Sequence, residues 1–399
     1  MKILLVDDEP FALKLLSHQL ATLGFGEVVS REHAADALAL LESGDQPFDL
    51  ILCDLQMPEI DGVEFIRQLV RIGYGGGLVL VSGEDSRILQ TAERLSRAHR
   101  LNVLGALHKP VSPEQLQQVL ENRASRAAAP RPVHKTYERE ELRQAITGGR
   151  LVNYYQPMVD LASGAVTGVE TLARWLHPED GLVFPDQFIG TAEETGLIDD
   201  LTRTVLTNAL HQACVWQAAG LHLQISVNVS MDNLGLLEFP DAVAEAAARA
   251  GIPSSNLELE VTESRLMKDP LASFDILTRL RLKRIGLSID DFGTGHSSLA
   301  QLRDIPFDEL KVDRGFVHGA CRDSSIRAIF EASLGMARQL GMKTVAEGVE
   351  DQEDWDFLRT SGCDTAQGYF IARPMPAADL TGWMAAWEIR RRDLMASRP

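Results

Sequence analysis

Residues 286–293 read GLSIDDFG: a short apolar run that breaks on two adjacent aspartates, Asp290 and Asp291, and then on a glycine. The same shape recurs on both sides. LELEVTES at 257–264 sets Glu258, Glu260 and Glu263 among apolar residues, and SVNVS at 226–230 carries Asn228. Downstream, LKVD at 310–313 brings Lys311 and Asp313, VAEGVE at 345–350 brings Glu347 and Glu350, and the run from Cys363 ends on Gln367. Upstream lie Leu151–Gln156, ending on Gln156, and Val166–Leu172, with Glu170 read as its polar strand end. Helix-patterned segments such as Leu201–Ala219, Asp241–Ala250, Ser273–Arg284 and Ile326–Leu340 separate most of these runs. Eight strand-like runs in about 250 residues fit a (β/α)8 barrel, with an open doubly wound sheet as the alternative.

Barrel chemistry gathers at the carboxyl ends of the strands. Nearly every run here ends in an acid, an amide or an ammonium, and closure would bring these into one ring. Five inward carboxylates (Glu170, Glu260, Asp290, Asp291 and Glu347) cannot all stay ionised without cations. All are hard oxygen donors with no His or Cys among them, which selects Mg²⁺ or Mn²⁺ over zinc. An adjacent Asp pair suits a bridge between two metals, an arrangement used to cut phosphodiesters. Each residue also has a plainer reading. Asn228 could be a turn amide, Asp291-Phe292-Gly293 a turn with Gly293 at positive φ, and Glu347 an acid at a helix N-terminus. His296, in the loop Phe292–Leu299, reads as incidental.

Residues 1–122 repeat the alternation with a shorter cycle. Apolar runs at Ile3–Val6, Val28–Ser30, Leu50–Cys53, Leu78–Val81 and Val103–Leu107 alternate with amphipathic stretches such as Ala12–Leu23 and Ala34–Glu42. Continuous apolar strands between helices imply a five-stranded, doubly wound parallel sheet. Its carboxyl ends carry Asp7 and Asp8, Asp54, Ser82, and Lys109 before Pro110. Clustered carboxylates want a hard cation, and one of them can then act as a nucleophile toward a phosphoryl group. Ser82 and Lys109 would contact the added phosphate. Cys53 reads as a buried strand residue.

Between the halves, RASRAAAPRPVHKTYEREE at 123–141 holds Pro130 and Pro132, which disfavour a continuous helix. The expected division is 1–122, a linker at 123–136, a second domain at 137–392 and a tail at 393–399. The chain has 399 residues, 39 Lys and Arg against 57 Asp and Glu, and a net charge of −18, which opposes non-specific wrapping of DNA. Four dispersed cysteines form no disulfide framework or metal pair, so a reducing cytoplasmic compartment fits best. No apolar run approaches the roughly 18 residues of a membrane span, and the start lacks a secretory pattern.

LLVDDEP, ILCDLQMPEIDG, LVLVSGED and HKPV resemble the receiver domain of two-component response regulators. The resemblance implies a flavodoxin-like fold, phosphorylation of Asp54 by a cognate sensor histidine kinase, and one Mg²⁺ held by Asp8 and Asp54 with Asp7. Ala106 departs from the family, which usually has a switch Tyr or Phe there.

GVETLARWLHPEDG, SVNVS, LELEVTES, IDDFGTGHSSL, LKVD, VAEGVE and AQGYFIARPMP resemble the EAL-domain phosphodiesterases that hydrolyse cyclic-di-GMP. In the signature triplet Glu170-Thr171-Leu172, Thr171 replaces the family's Ala. The resemblance implies one metal on Glu170, Asn228, Glu260 and Asp290, and another on Asp290, Asp291 and Glu347. Lys311 would tune the attacking water, and Arg174 would clamp phosphate. Gln156, Leu172, Asp313, Glu350 and Gln367 would contact substrate, and Glu263 would support the loop near a homo-oligomer contact. A metal-free sensor of the dinucleotide would be expected to have lost ligands, and every matched position here is competent. A barrel glycosidase is the more distant alternative.

Overall fold

The computed structural model describes the chain except residues 44–47, 84–85, 100, 128–134, 136, 231, 263–269, 294–298 and 397–399. Glu263 and His296 therefore lie outside the described residues, as does most of the stretch read as a linker. The chain divides into two compact units, Met1–Val133 and His134–Pro399.

In the first unit the strands are β1 (Lys2–Val6), β2 (Glu27–Arg31), β3 (Leu50–Asp54), β4 (Gly77–Ser82) and β5 (Asn102–His108). They alternate with α1 (Pro10–Thr22), α2 (Ala34–Glu42), α3 (Gly62–Arg71), α4 (Ser86–Ala98) and α5 (Pro113–Ala127). All pairings are parallel, in the order β2-β1-β3-β4-β5. Alternate residues feed separate cores on the two faces, Leu4 and Val6 on one and Ile3 and Leu5 on the other. That is why the strands read as unbroken apolar runs. Cys53 is buried in β3, and burial pushes its thiol well up. Helix α5 continues to Ala127, into the stretch expected to be linker.

The second unit is a closed barrel. Its strands are β6 (Leu151–Asp160), β7 (Val166–His177), β9 (Gln224–Val229), β10 (Leu257–Thr262), β11 (Gly286–Phe292), β12 (Glu309–Val312), β13 (Lys343–Ala346) and β14 (Thr365–Ala366). Short β8 (Gly181–Val183) pairs with β7, and β15 (Met375–Pro376) pairs with β6. The helices are α6 (Arg139–Thr147), α7 (Ile189–Glu194), α8 (Ile198–Ala218), α9 (Phe239–Ala250), α10 (Pro270–Leu282), α11 (Leu299–Asp304), α12 (Arg314–Val317), α13 (Ser324–Gln339), α14 (Gln352–Ser361) and α15 (Ala377–Ala396). Two sequence expectations are corrected. β6 runs antiparallel to both neighbours, β7 and β14, because only a tight turn joins β6 to β7. A parallel return needs a dozen or more residues. Gln156 and Glu170 are consequently mid-strand residues, paired in register with each other, rather than strand ends.

At the other end of the unit, the tail expected from residue 393 is helical to Ala396. Arg390 donates to the Phe370 carbonyl at 2.7 Å and lies 4.3 Å from the Phe370 ring centroid. Trp387 is buried and donates to the Gly164 carbonyl at 2.9 Å. Among the described residues no helix is long and apolar enough to cross a membrane.

The barrel axis is polar. In β10, Leu257, Leu259 and Val261 join the core under the helices, so Glu258 and Glu260 face inward. Ser226, Ser288, Glu309 and Lys311 are buried with them. At the amino-terminal end of the strands, Gln224 donates to Glu258 and Ser288 Oγ lies 3.3 Å from Glu309 Oε1. Burial pushes Glu309 up to about 7, with Lys311 and Ser288 pulling the other way. Burial, joined by the charge of Glu309, pushes Glu258 well up. A raised carboxyl contributes stability below its unfolded pKa and loses it as pH rises through the folded value. Glu309→Gln is therefore expected to lose less stability than the wild type between pH 5 and pH 8. The difference should be about 2–3 kcal/mol in urea unfolding curves. A constant offset between the two chains over that range would refute it.

Candidate active site

Four strands aim carboxylates at one ammonium. Lys311 Nζ lies 2.7 Å from Glu347 Oε1, 3.1 Å from Glu260 Oε2, 3.4 Å from Asp290 Oδ1 and 3.6 Å from Glu170 Oε2. Lys311 and Glu260 are fully buried. Burial alone would lower the Lys311 pKa, but the four carboxylates outweigh it and hold the ammonium well above its ordinary value. The same burial pushes Glu347 up to about 8 and Asp291 up to about 6, and raises Glu260 well above the carboxylate range. Repulsion between neighbouring acids adds to each of these shifts. Glu170 goes the other way. Burial raises it, yet Lys311 and hydrogen bonds from Gln367 and Asn228 win, and its pKa is lowered.

The Glu170 carboxylate is held from both sides. Asn228 Nδ2 donates to Oε1 at 2.9 Å and Gln367 Nε2 donates to Oε2 at 2.5 Å. Gln367 also donates to Gln156 Oε1 at 3.0 Å, and Gln156 to the Ala372 carbonyl at 3.0 Å. The mid-strand pairing of β6 and β7 makes this chain possible.

Asp290 and Asp291 need a backbone device. Neighbours in a strand point to opposite faces. Here the β11–β12 register shifts between Ile289 and Phe292, and Asp291 takes φ +55°. This bulge brings carboxylate oxygens of Asp290, Asp291 and Glu347 within 4.8 Å of one another. A non-glycine residue in the left-handed region stores strain of the kind found at functional sites. Gly293, at φ +99°, completes the turn, as its sequence position suggested.

A cavity of about 310 Å³ opens above these groups, lined by Gln156, Glu170, Leu172, Asp290, Asp291, Glu347, Glu350 and Gln367. Arg314, Gly348 and Tyr369 line it too and went unremarked in the sequence. Arg314 directly follows Asp313 and Gly348 directly follows Glu347, while Tyr369 lies two residues after Gln367. Gly348 is required by geometry. It sits at φ +69°, and a Cβ there would run into the Arg314 side chain. Two expected contacts do not line the cavity. Asp313 caps α12 by accepting from the Gly315 amide at 2.9 Å. Arg174 is buried, donates to the Ala173 carbonyl at 2.8 Å and stacks 5.0 Å from the Phe184 ring centroid.

The donor set suits hard divalent ions. Both carboxylate oxygens of Glu260 and Asp290 Oδ1 are buried and accept no well-directed hydrogen bond among the described residues. Lys311 is a single ammonium against four carboxylates, and the negative charge it leaves over is costly when buried unless a further cation neutralises it. In the first unit, carboxylate oxygens of Asp7, Asp8 and Asp54 also come within 4.8 Å of one another. Lys109 Nζ lies 2.8 Å from both Asp7 and Asp54. Among the described residues Asp54 Oδ1 accepts no well-directed hydrogen bond, and burial raises the Asp54 pKa against the pull of Lys109. The Lys109 amide donates to the Ser82 carbonyl at 2.8 Å, which sets Ser82 beside the cluster. Ala106 is half-buried, opposite Leu80, and packs against the sheet core.

Comparison with known proteins places both units. Residues 139–374 match the EAL domain, and residues 3–121 match the response regulator receiver domain. The chain belongs to the EAL domain family and carries a receiver domain. Cyclic di-GMP phosphodiesterase RocR of Pseudomonas aeruginosa is 33% identical over 380 residues, covering 94% of this chain and 96% of RocR. The bifunctional diguanylate cyclase/cyclic di-GMP phosphodiesterase MucR of the same organism is 44% identical over 246 residues. That match covers 61% of this chain but only 36% of MucR. The solved structure of the PaMucR phosphodiesterase in complex with c-di-GMP is 44% identical, with a TM-score of 0.58. It covers 60% of this chain and 98% of the solved one. RocR matches the receiver and EAL parts together, so the two-unit order is not peculiar to this chain.

Proposed function

We propose that the chain hydrolyses cyclic-di-GMP to linear pGpG at the carboxyl end of the barrel, under control of its receiver domain. The observation that carries this reading is the ring of Glu170, Glu260, Asp290 and Glu347 around buried Lys311, with Asp291 turned in by the bulge. Its likeness to proteins named as cyclic di-GMP phosphodiesterases supplies the substrate class.

Glu170, Asn228, Glu260 and Asp290 would hold one Mg²⁺ or Mn²⁺, and Asp290, Asp291 and Glu347 a second. Bound there, such ions supply an acidified water and neutralise charge at phosphorus and on the leaving oxygen. The chain's own groups do the rest. Lys311 offsets the carboxylate charge and stands ready to orient the attacking water. Gln367 and Asn228 keep Glu170 ionised and aimed. Gln156, Leu172, Glu350 and Gln367 would position the nucleotide, and Arg174 would have to leave Phe184 to reach phosphate. In-line attack by water breaks one phosphorus–O3′ bond, and the 3′ oxygen leaves with a proton.

In the receiver, Asp7, Asp8 and Asp54 would hold one divalent ion. Asp54 would take a phosphoryl group from a sensor histidine kinase, with Ser82 and Lys109 contacting it. The soluble response regulator would work in the cytoplasm as a homo-oligomer, with Glu263 supporting the loop near the contact between copies, and without DNA or membrane.

The test is product formation. With Mg²⁺ or Mn²⁺ the full chain should release pGpG, a chelator should stop it, and beryllofluoride should change the rate in the wild type but not in Asp54→Asn. Chelator-resistant turnover, or none above Glu170→Ala, would refute the enzyme reading. An unchanged rate with beryllofluoride would refute the switch alone.

A further inference from the structure

We propose that His318, braced by Asp354, is a positioning residue that presents the Glu350 carboxylate to a guanine edge of the substrate. The inference rests on the reading of the cavity as a cyclic-di-GMP site and names what sets its base preference.

Asp354 is fully buried in the first turn of α14 and is saturated by local donors. The His318 ring nitrogen Nδ1 lies 2.8 Å from Asp354 Oδ2, and the Glu350 amide donates to the same oxygen at 3.1 Å. The Gly319 amide donates to Oδ1 at 3.1 Å. A carboxylate accepts only, so Nδ1 carries the proton and the ring is fixed in orientation. Its far nitrogen, Nε2, then lies 3.8 Å from Glu350 Oε2 and donates toward it when the ring carries a second proton. Arg314 grips the other oxygen of the same carboxylate. Glu350 and Arg314 both line the cavity.

His318, Asp351 and Asp354 bring ligand-type atoms within 4.8 Å of one another, which invites a metal reading. Their bonding argues against it. Asp354 spends its oxygens on His318 and two amides, while Asp351 accepts from the Asp354 amide at 2.9 Å and pairs with Arg322 at 2.7 Å. The cluster is a brace. One buried acid fixes both the backbone amide of Glu350 and the ring that approaches its carboxylate.

The carboxylate end has the chemistry to select a base. Guanine presents two adjacent donors, N1–H and the 2-amino group, to a bidentate acceptor. Adenine presents an acceptor at N1, which a carboxylate repels. A site built to bond a donor pair rejects an analogue lacking it far better than an apolar pocket does. That holds only while the acceptor is kept in place. A freely rotating Glu350, about one-third exposed, would forfeit part of the discrimination.

The experiment compares wild type, His318→Ala and His318→Gln with cyclic-di-GMP and cyclic-di-AMP. For His318→Ala the KM for cyclic-di-GMP is expected to rise about 10-fold with kcat within about 2-fold. The preference for the guanine dinucleotide should fall about 5-fold or more. His318→Gln, whose amide can still donate toward Glu350, should recover part of both. His318 is partly exposed, so its replacement should fold, and an unchanged far-ultraviolet spectrum checks this. Unaltered KM and base preference in His318→Ala, or a loss confined to kcat, would overturn the proposal. Should the wild type show no hydrolysis, the hydrolysis proposal fails on its own. Equilibrium binding of the two dinucleotides then decides the brace: a lost preference in His318→Ala supports it, and equal preference, or no binding by wild type, overturns it.

Discussion

Lys311→Met is expected to lower the unfolding free energy of the metal-free chain by about 3–5 kcal/mol, the cost of stripping the partner from buried charges. The reasoning is electrostatic. Lys311 is fully buried and lies within 3.6 Å of four carboxylates. Methionine fills most of the volume, so packing changes little, but the carboxylates lose the counter-charge that Lys311 supplies. Two dependences identify the cause. At lower pH the deficit should narrow, because Glu347, already raised to about 8, and Asp291, raised to about 6, take up protons instead. Lys311 itself does not confound this. Its raised pKa leaves its contribution fully present below the ordinary lysine value, and lost only as pH climbs through the folded one. Saturating Mg²⁺ or Mn²⁺ should narrow the deficit too, because divalent charge replaces the ammonium. On the proposed hydrolysis, turnover should nevertheless fall about 100-fold or more, since the positive group proposed to orient the attacking water is lost. Denaturant unfolding at pH 5 and pH 8, with and without metal, reads the first effect, and pGpG release reads the second. A deficit independent of both pH and metal would mean that packing, and not charge, explains Lys311.

How far this site can be read from sequence depends on what kind of signal each residue leaves. Glu260, Asp290, Lys311 and Glu347 sit where apolar β-runs break, and a barrel turns such breaks into a ring, so spacing alone located them. Glu170 and Gln156 were singled out but misplaced. The apolar pattern of β7 fades after Leu172, yet the strand pairs with β6 as far as Trp175 and with β8 to His177. The clue to β6 was available. The connection Leu161–Ala165 contains Gly164, found at φ +69°, and is too short for any crossover. His318 and Asp354 left no local signal. They are separated by 36 residues and meet only because β13 delivers the start of α14 beside the end of α12. Arg174 and Asp313 show a competition that residue type does not reveal. Their chemistry is right for a phosphate or a base, but nearer partners, a ring and a helix amide, claim them. Residue type proposes a role, and local competition for hydrogen bonds decides it.

The bulge in β11 is the feature whose test separates structure from chemistry most cleanly. Asp291 occupies φ +55°, a conformation costing an ordinary L-residue about 1–2 kcal/mol and glycine almost nothing. Its carboxylate is also raised to about 6 by burial and by Asp290 beside it. Asp291→Gly removes both penalties and should stabilise the metal-free chain by about 1 kcal/mol. Asp291→Ala removes the charge but keeps the strain, so it should be less stable than the glycine variant by about 1 kcal/mol. Both should lose about 100-fold or more in pGpG release, because the carboxylate that the bulge turns toward Asp290 and Glu347 is gone. Asp291→Asn, tolerant of the left-handed region but uncharged, should match the two in activity and lie between them in stability. Full turnover in the glycine variant would show that Asp291 is only a turn residue. Equal stability of Gly and Ala would show that the bulge stores no strain. If stability rises while turnover collapses, the strand is bent against its own preference for one purpose: to put two consecutive acids on the same side of the barrel mouth.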